Sequence, residues 1–245
     1  MKELFPYGLD APPVVRNLAI CALACWLLFA LNFTTWLPAR ISVSCWPALL
    51  LSFATCSMMW SSRYGKLRRR EQLLNLLTWA GNEHVLDIGC GRGLLAVAAA
   101  RRTPLGQVTG VDIWQKEDLS GNSPDAVTAN ASREGVIGRV ATRTADMREL
   151  PFANASIDTV ISSTAIHNIY DVEGRRRAID EIARVLRPAG QVMIDDIRHV
   201  SDYAERLRDA GFELKVIHGF YSWFWRLMSF GTLSPGTLIG HKLSH

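Results

Sequence analysis

Residues 83–93, Glu-His-Val-Leu-Asp-Ile-Gly-Cys-Gly-Arg-Gly, constrain the fold of this chain more than any other stretch. An apolar strand pattern runs into glycines at 89, 91 and 93, and a helical pattern follows. Glycine has no Cβ atom and tolerates positive φ, so such a turn lets a ligand lie against the backbone. The start of the following helix offers unpaired N–H groups to an anion. The pattern therefore predicts a small-molecule site at the end of a strand.

A second predicted strand, Gln107–Asp112, ends in an acid about 20 residues after the glycines, where a carboxylate can bind ribose hydroxyls. Dinucleotide-binding turns usually read Gly-x-Gly-x-x-Gly. Here the third glycine comes one residue early, and Asp87 precedes the turn. An acid at this point would repel a pyrophosphate, which disfavours a nicotinamide-linked reductase. It suits a nucleoside-like ligand that carries a cationic amino group.

At these residues the chain resembles the class I methyltransferases that use S-adenosylmethionine (SAM), of the type 11/25-like group. Asp146–Met147, Ile157–Ser163 and Glu181–Gln191 look like the later motifs of that family, in the same order. The motifs together cover about residues 83–217. The resemblance implies an α/β, Rossmann-like fold with a seven-stranded sheet. Ala189 departs from the glycine that the family more usually has in its Pro-Gly-Gly turn.

The resemblance also implies a set of cofactor-binding residues: Asp87, Gly89, Gly91, Gly93, Asp112, Ile113, Trp114, Asp146, Met147 and Ser163. The glycines would shape the methionine end of SAM, and the acid before them would orient its amino group. Asp112 would accept hydrogen bonds from the ribose. Ile113 and Trp114 would border the adenine, and Asp146 and Met147 would meet its polar edge. Capping a turn is the structural alternative for each of the acids.

The loop Ser163–Ile169 follows the fourth predicted strand and would pass under the reactive sulfur. Methyl transfer is an in-line displacement, so positioning supplies much of the rate acceleration. His167 is the candidate catalytic residue that orients or deprotonates the acceptor, with packing as its alternative. Asp195 and Asp196 end the fifth strand and are expected to bind the acceptor, pair with His199 or cap the next helix.

Short β-rich runs alternate with helical runs beyond the glycine turn, which predicts a largely parallel sheet covered on both faces. Strands are expected at 84–89, 107–112, 140–145, 157–162, 191–196, 212–217 and 237–243, and helices at 71–80, 92–102, 124–134, 173–186 and 201–210.

The amino-terminal part contains two stretches without charged residues, 17–39 and 41–62. Each exceeds the roughly 20 residues that a helix needs to cross a bilayer. We therefore expect a transmembrane hairpin at 17–62 after an N-terminal segment 1–16, followed by a basic juxtamembrane and linker helix at 63–82 and a methyltransferase domain at 83–245. A cleaved signal peptide and a buried soluble hairpin are the alternatives.

The charge distribution bears on topology and on partners. Residues 1–70 contain eight basic and two acidic residues, and the remainder of the chain has a net charge of −2. The basic residues at 63–70 favour a cytoplasmic catalytic domain at a bacterial inner membrane. A slightly acidic domain is not expected to bind nucleic acid. The five cysteines form no Cys-x-x-Cys pair, so no metal site is expected.

The sequence thus predicts a membrane-anchored, SAM-dependent methyltransferase. Its partners would be the lipid bilayer, through residues 17–62, and a hydrophobic small-molecule or lipid acceptor. A non-catalytic SAM-binding membrane scaffold is the alternative.

Overall fold

The computed structural model describes residues 5–31, 44–115, 119–219, 222, 226–227, 229 and 231–244. Contacts divide the chain into two compact units. The N-terminal unit comprises Met1–Arg68 with Gln115–Asn122, and the sheet unit comprises Arg69–Trp114 with Ser123–His245. The boundary lies earlier than the domain start expected at residue 83. The grouping of 115–122 with the N-terminus was not expected at all.

The sheet unit contains all seven expected strands. They are β1 (His84–Ile88), β2 (Gln107–Asp112), β3 (Val140–Thr144), β4 (Ile157–Ser163), β5 (Leu186–Asp196), β6 (Phe212–Ile217) and β7 (Gly236–Lys242). The α-helices with described bounds are α1 (Pro12–Leu31), α2 (Trp46–Trp60), α3 (Lys66–Leu74), α4 (Leu94–Arg102), α5 (Pro124–Arg133), α6 (Val172–Val185) and α7 (Val200–Asp209).

The sheet has the order β3-β2-β1-β4-β5-β7-β6. Strand β7 is antiparallel to both of its neighbours, and the other pairs are parallel. This mixed seven-stranded sheet confirms the Rossmann-like methyltransferase fold. Consecutive strand residues point to opposite faces, so Val85 and Leu86 lie in separate hydrophobic clusters. Both faces are buried, which explains the nearly continuous apolar sequence of the central strands.

Parallel pairing brings the chemically interesting strand ends to one edge of the sheet. Ile88 of β1 pairs with Ser162 of β4, and Ser163 pairs with Asp195 of β5. The residues that follow β1, β2 and β4 therefore emerge at the same edge as the end of β5. Ligands of open α/β sheets bind at this carboxyl edge.

The helix expected at 71–80 is instead α3, which ends at Leu74. The basic residues before position 71 extend the helix because Lys and Arg favour helical structure. Beyond its end, the Trp79 indole N–H donates to the Leu74 carbonyl at 2.8 Å, which satisfies one helix-terminal carbonyl.

In the N-terminal unit, α1 and α2 form an antiparallel pair. Asp10, just before α1, donates its backbone N–H to Ser62 Oγ at 3.1 Å, just after α2. The Trp26 indole donates to Ser52 Oγ at 3.1 Å between the two helices. The start of α1 and the end of α2 therefore lie close together. Residues 32–43, where the turn of the expected hairpin falls, lie outside the described residues.

Only α1 is both long and apolar enough to cross a membrane within the described residues. Helix α2 has 15 residues and is about 22 Å long, which is short of the roughly 30 Å of a bilayer core. A π-helical turn, Ser61–Gly65, follows it directly. The second span expected at 41–62 is thus not matched by a described helix of sufficient length.

Ala189 provides a test of backbone strain. It is exposed and has φ of 62°, a left-handed conformation that costs a residue with a Cβ atom about 1–2 kcal/mol. We expect Ala189→Gly to raise the free energy of unfolding by about 0.5–1 kcal/mol, net of the chain entropy that glycine adds to the unfolded state. Urea denaturation of both proteins measures this. Ala153→Gly, at an exposed position without positive φ, should instead be neutral or destabilising; a lower stability for Ala189→Gly would contradict the prediction.

Candidate active site

The glycine turn after β1 lies against the loop that follows β4. Gly89, Gly91 and Gly93 all have positive φ, at 67°, 55° and 77°. A Cβ atom at position 89 would collide with the Cβ of Ala165, and one at position 93 would lie 2.8 Å from Val127 Cγ1. Backbone conformation therefore favours glycine at all three positions of the expected cofactor cradle, and space also requires it at 89 and 93.

Asp87, directly before this turn, is 2% exposed. Its Oδ2 accepts the backbone N–H of Ala96 in the first turn of α4, at 2.8 Å. Burial raises the pKa of Asp87 to about 8, the charge of Asp112 adds to the increase, and the Ala96 hydrogen bond opposes it. One of the helix N–H groups that were expected to bind a ligand anion is therefore bound by the side chain of Asp87. Asp87 thus caps the start of α4 and also lies next to the glycine cradle.

Asp112 connects the glycine turn to the end of β2. Its Oδ2 accepts the Gly91 N–H at 2.8 Å, and its Oδ1 accepts the Trp114 N–H at 2.7 Å. The side chain is partly exposed, as a ribose-binding carboxylate must be. The indole of Trp114 donates to Thr144 Oγ1 at 2.8 Å, and Ile113 is 48% exposed. The predicted ribose and adenine residues therefore lie together beside the turn.

Asp146 and Met147 differ in what they can contribute. The terminal methyl of Met147 would lie 3.8 Å from a Cβ at Gly89, which places it at the cradle. Asp146 Oδ2 accepts from Arg148 Nη2 at 2.6 Å, and its Oδ1 accepts the Arg148 backbone N–H at 2.9 Å. Hydrogen bonding to Arg148 lowers the pKa of Asp146 despite partial burial. Its carboxylate caps the local turn, and it lines a polar groove of about 440 Å³.

The loop after β4 contains His167, the predicted catalytic residue, which is hydrogen-bonded to a buried carboxylate. His167 Nδ1 lies 2.6 Å from Asp196 Oδ1, and its backbone N–H donates to Asp196 Oδ2 at 3.1 Å. Asp196 is 3% exposed and also accepts the Ile197 N–H at 2.8 Å. A carboxylate that accepts from Nδ1–H leaves Nε2 as the basic nitrogen of the ring. This pairing orients the predicted catalytic residue.

Sequence reasoning did not find the His167–Asp196 pair. The sequence analysis considered His199 as a partner of Asp195 or Asp196, but His199 Nδ1 lies 3.5 Å from Asp202 Oδ2. Strand alternation could have predicted this pair, because consecutive residues at the end of β5 face opposite sides of the sheet. One of the two acids must then face the loop that leaves the neighbouring strand β4.

Asp195, on the other face, has partners that the sequence analysis also missed. Arg69 Nη2 donates to Asp195 Oδ1 at 2.6 Å and to Thr237 Oγ1 at 2.8 Å. The Asp195 carbonyl accepts the Thr164 N–H at 2.8 Å, one residue after Ser163. Ser163 itself is half-buried, with its Oγ 3.3 Å from Thr164 Oγ1. Arg69, one of the basic residues at 63–70 that the sequence analysis used only to infer topology, therefore also contacts the end of β5.

The residues around the turn fit SAM. Asp87 is a buried carboxyl whose pKa is raised by burial and by the charge of Asp112, and an amino cation would stabilise its ionised form. Asp112 presents a partly exposed acceptor for ribose hydroxyls.

Comparison with known proteins agrees with this geometry. Residues 85–190 match the family model described as a methyltransferase domain. A 27-O-demethylrifamycin SV methyltransferase from Amycolatopsis mediterranei (strain S699) is 33% identical over 150 residues, which are 59% of this chain and 52% of that protein. The ubiquinone/menaquinone biosynthesis C-methyltransferase UbiE of Geotalea daltonii (strain DSM 22248 / JCM 15807 / FRC-32) is 30% identical over 119 residues, 48% of this chain and 47% of that protein. The chain thus spans about half the length of these curated relatives.

A solved structure shares the fold over a larger part of the chain. The geranyl diphosphate C-methyltransferase from Streptomyces coelicolor A3(2), in complex with Mg²⁺, geranyl diphosphate and S-adenosylhomocysteine, superposes with a TM-score of 0.57 at 17% identity. The match covers 72% of this chain and 77% of that one. Sheet order, turn geometry and sequence similarity agree: the chain has the fold of the class I SAM-dependent methyltransferases, and its residues 85–190 match a methyltransferase domain.

Proposed function

We propose that this protein transfers a methyl group from SAM to a hydrophobic or membrane-associated acceptor, and that its apolar N-terminal helices hold it at a membrane. The proposal of methyl transfer rests on the arrangement of side chains at the carboxyl edge of the sheet. Two acids flank a glycine cradle, and a histidine oriented by a buried carboxylate follows the adjacent strand. SAM, the cofactor of this family, would supply an electrophilic methyl group on its sulfonium.

The protein's own residues would bind, orient and move a proton. Asp112 would hold the ribose and Asp87 the amino group. His167 Nε2 would accept the proton of an acceptor hydroxyl as that oxygen bonds to the methyl carbon and the carbon–sulfur bond breaks, which would leave S-adenosylhomocysteine. Asp196 would keep the imidazole in the required tautomer and stabilise the imidazolium that forms. A non-catalytic SAM-binding scaffold would have no need of this oriented pair, so the geometry favours the enzyme.

The acceptor class is supported by the names of the similar proteins. They refer to 27-O-demethylrifamycin SV, to ubiquinone and menaquinone biosynthesis, and to geranyl diphosphate. Quinone and isoprenoid molecules combine an apolar body with a nucleophilic oxygen or carbon. We therefore favour an apolar acceptor with one reactive nucleophilic atom.

The membrane part of the proposal is supported by the surface of α1 and α2. Leu23 and Leu27 of α1 are 61% and 56% exposed, and Phe53 of α2 is 72% exposed. Only 11% of the most apolar window of α1 is buried inside the protein. Helices that are apolar all round are typical of membrane segments. The basic residues at 63–70 favour placing the catalytic domain on the cytoplasmic side.

Asp87 gives a pH test of cofactor binding. Because its pKa is about 8 in the unliganded protein, the carboxyl is protonated at pH 6 and must release this proton to pair with an amino cation. Affinity for S-adenosylhomocysteine should therefore increase from about pH 6 to about 7.5, by at most roughly tenfold per pH unit. Asp87→Asn should bind more weakly with a flat profile over this range.

Titration calorimetry in two buffers of different ionisation enthalpy measures both affinity and proton release. Wild-type protein that fails to bind S-adenosylhomocysteine would remove the basis of the proposed function. Parallel pH profiles for the wild type and Asp87→Asn would show that Asp87 does not carry the effect.

His167 gives a test of catalysis that does not require a known acceptor. Full-length protein is incubated with membrane extract and SAM carrying a deuterated methyl group, and mass spectrometry detects the labelled product. His167→Asn should lower product formation by about 10²–10⁴-fold while leaving S-adenosylhomocysteine affinity near normal. His199→Asn is the matched control and should keep near-normal turnover. Equal turnover for His167→Asn and wild type across pH would reduce His167 to a packing residue.

Membrane association is measured by flotation of the full chain with lipid vesicles. The double substitution Leu23→Glu with Leu27→Glu should shift the protein to the unbound fraction, because each charge in a bilayer costs about 2.5–3.5 kcal/mol on insertion scales. Leu105→Glu is the matched control, since Leu105 is 85% exposed in the sheet unit. Identical flotation of the double variant and wild type would contradict insertion of α1.

A further inference from the structure

Arg69 of α3 is bound to the end of β5, and both belong to the sheet unit. Its Nη2 donates to Asp195 Oδ1 at 2.6 Å and to Thr237 Oγ1 at 2.8 Å. Thr237 Oγ1 in turn donates to Asp195 Oδ1 at 2.6 Å. Asp195 and Thr237 are paired residues of the neighbouring strands β5 and β7. Side chains from two strands therefore fix one guanidinium group at the carboxyl edge of the sheet.

The cation of this ion pair is more exposed than its anion. The side chain of Arg69 is 50% exposed, whereas that of Asp195 is 16% exposed. A guanidinium has five N–H donors. Within the described part of the chain, Arg69 uses the donors of Nη2 and keeps those of Nε and Nη1. The outward end of the pair is therefore positive and has donors to offer to a ligand.

Other charged groups at this end of β5 do not cancel the charge of Arg69. Asp196 is hydrogen-bonded to His167 and to the Ile197 N–H. Arg198, in the bend after β5, is exposed and forms no ion pair with a residue that the structure describes. Two exposed arginines thus follow or contact a strand end whose two acids are already engaged. This local charge favours an anion, although the sheet unit as a whole is not basic.

The same strand end connects Arg69 with the proposed reaction. Asp195 and Asp196 are consecutive, and Asp196 orients His167. Neighbouring strands are about 4.8 Å apart, and only β4 separates β5 from β1. The end of β5 therefore lies about 10 Å from the end of β1, where the glycine turn begins. A molecule that lies across the end of β5 can contact Arg69 while its nucleophilic atom is beside His167.

We propose that Arg69 binds an anionic group of the methyl acceptor, a phosphate or a carboxylate, and so selects acceptors that carry one. Arginine binds both groups through charge-assisted hydrogen bonds. The inference rests on the proposed function, because it concerns the acceptor of the same reaction. It adds a charged end to the apolar acceptor, and Arg69 holds that end while the nucleophilic atom meets the methyl group.

A purely structural ion pair is the alternative, and it makes a different prediction. Exposed ion pairs contribute little to stability, so loss of a structural pair would leave turnover nearly unchanged. Arg206 provides the matched control. It is 44% exposed in the same unit and donates to Asp180 Oδ1 at 2.7 Å, but this pair joins α6 and α7 rather than a strand end.

The first experiment uses the full chain, membrane extract and SAM carrying a deuterated methyl group. The labelled product of the wild type should bind an anion-exchange resin at pH 7, and its exact mass and fragmentation distinguish a phosphate from a carboxylate. Arg69→Met should lower product formation by about 10–100-fold at low extract concentration. More extract should restore it, because the loss is in acceptor binding. Arg69→Lys, which keeps the charge, should recover part of the activity.

Two further readouts separate acceptor binding from other effects. S-adenosylhomocysteine affinity, measured by calorimetry, should be unchanged in Arg69→Met, and Arg206→Met should keep both normal affinity and normal turnover. Phenylglyoxal, which modifies exposed arginines, tests the wild type directly, with mass spectrometry of the peptides as the readout. Inorganic phosphate or acetate should slow the modification of Arg69 several-fold and leave that of Arg206 unchanged. This measurement decides the matter if thermal unfolding shows that Arg69→Met is not folded.

Absence of any labelled product from the wild type would refute the proposed function. Three results would overturn the inference about Arg69 alone: a labelled product without an anionic group, equal turnover of folded Arg69→Met and wild type at low extract concentration, or modification of Arg69 that neither anion slows.

Discussion

The carboxylate of Asp112 is the interaction that holds together the edge of the sheet where we propose that SAM binds. One oxygen binds the amide of Gly91 in the turn after β1, and the other binds the amide of Trp114 beyond β2. A single side chain therefore fixes the distance between the glycine cradle and the residues expected to border the adenine. Because Gly91 is in the left-handed region, its amide can face β2, which explains why the turn and the acid occur together.

The end of β5 organises the opposite side of the same edge. Asp195 and Asp196 are consecutive, and strand alternation directs them to opposite faces of the sheet. Asp196 orients His167, whereas Asp195 binds Arg69. One pair of acids thus places an imidazole and a guanidinium at a single strand end. This arrangement supplies a proton acceptor and a half-exposed cation to the region where the acceptor would be methylated.

The N-terminal unit contains more than the apolar helices. Within this unit, the backbone N–H of Leu9 donates to Ser120 Oγ at 2.8 Å, and Lys66 Nζ donates to Asp10 Oδ1 at 2.9 Å. Residues that are 111 positions apart in the sequence are therefore neighbours in one compact unit.

The sequence by itself determined the alternation of strands and helices, the glycine turn and the two acids around it, because hydrophobic periodicity and glycine conformation are local properties. It also indicated His167, by its place after β4. Tertiary structure alone decided its partner Asp196, 29 residues away, and the pairing of Leu9 with Ser120 across 111 residues. It also showed that Asp146 is engaged by Arg148, and that α2 is shorter than the uncharged stretch around it. These features depend on which chain segments become neighbours, and that is set by sheet order and packing rather than by any local pattern.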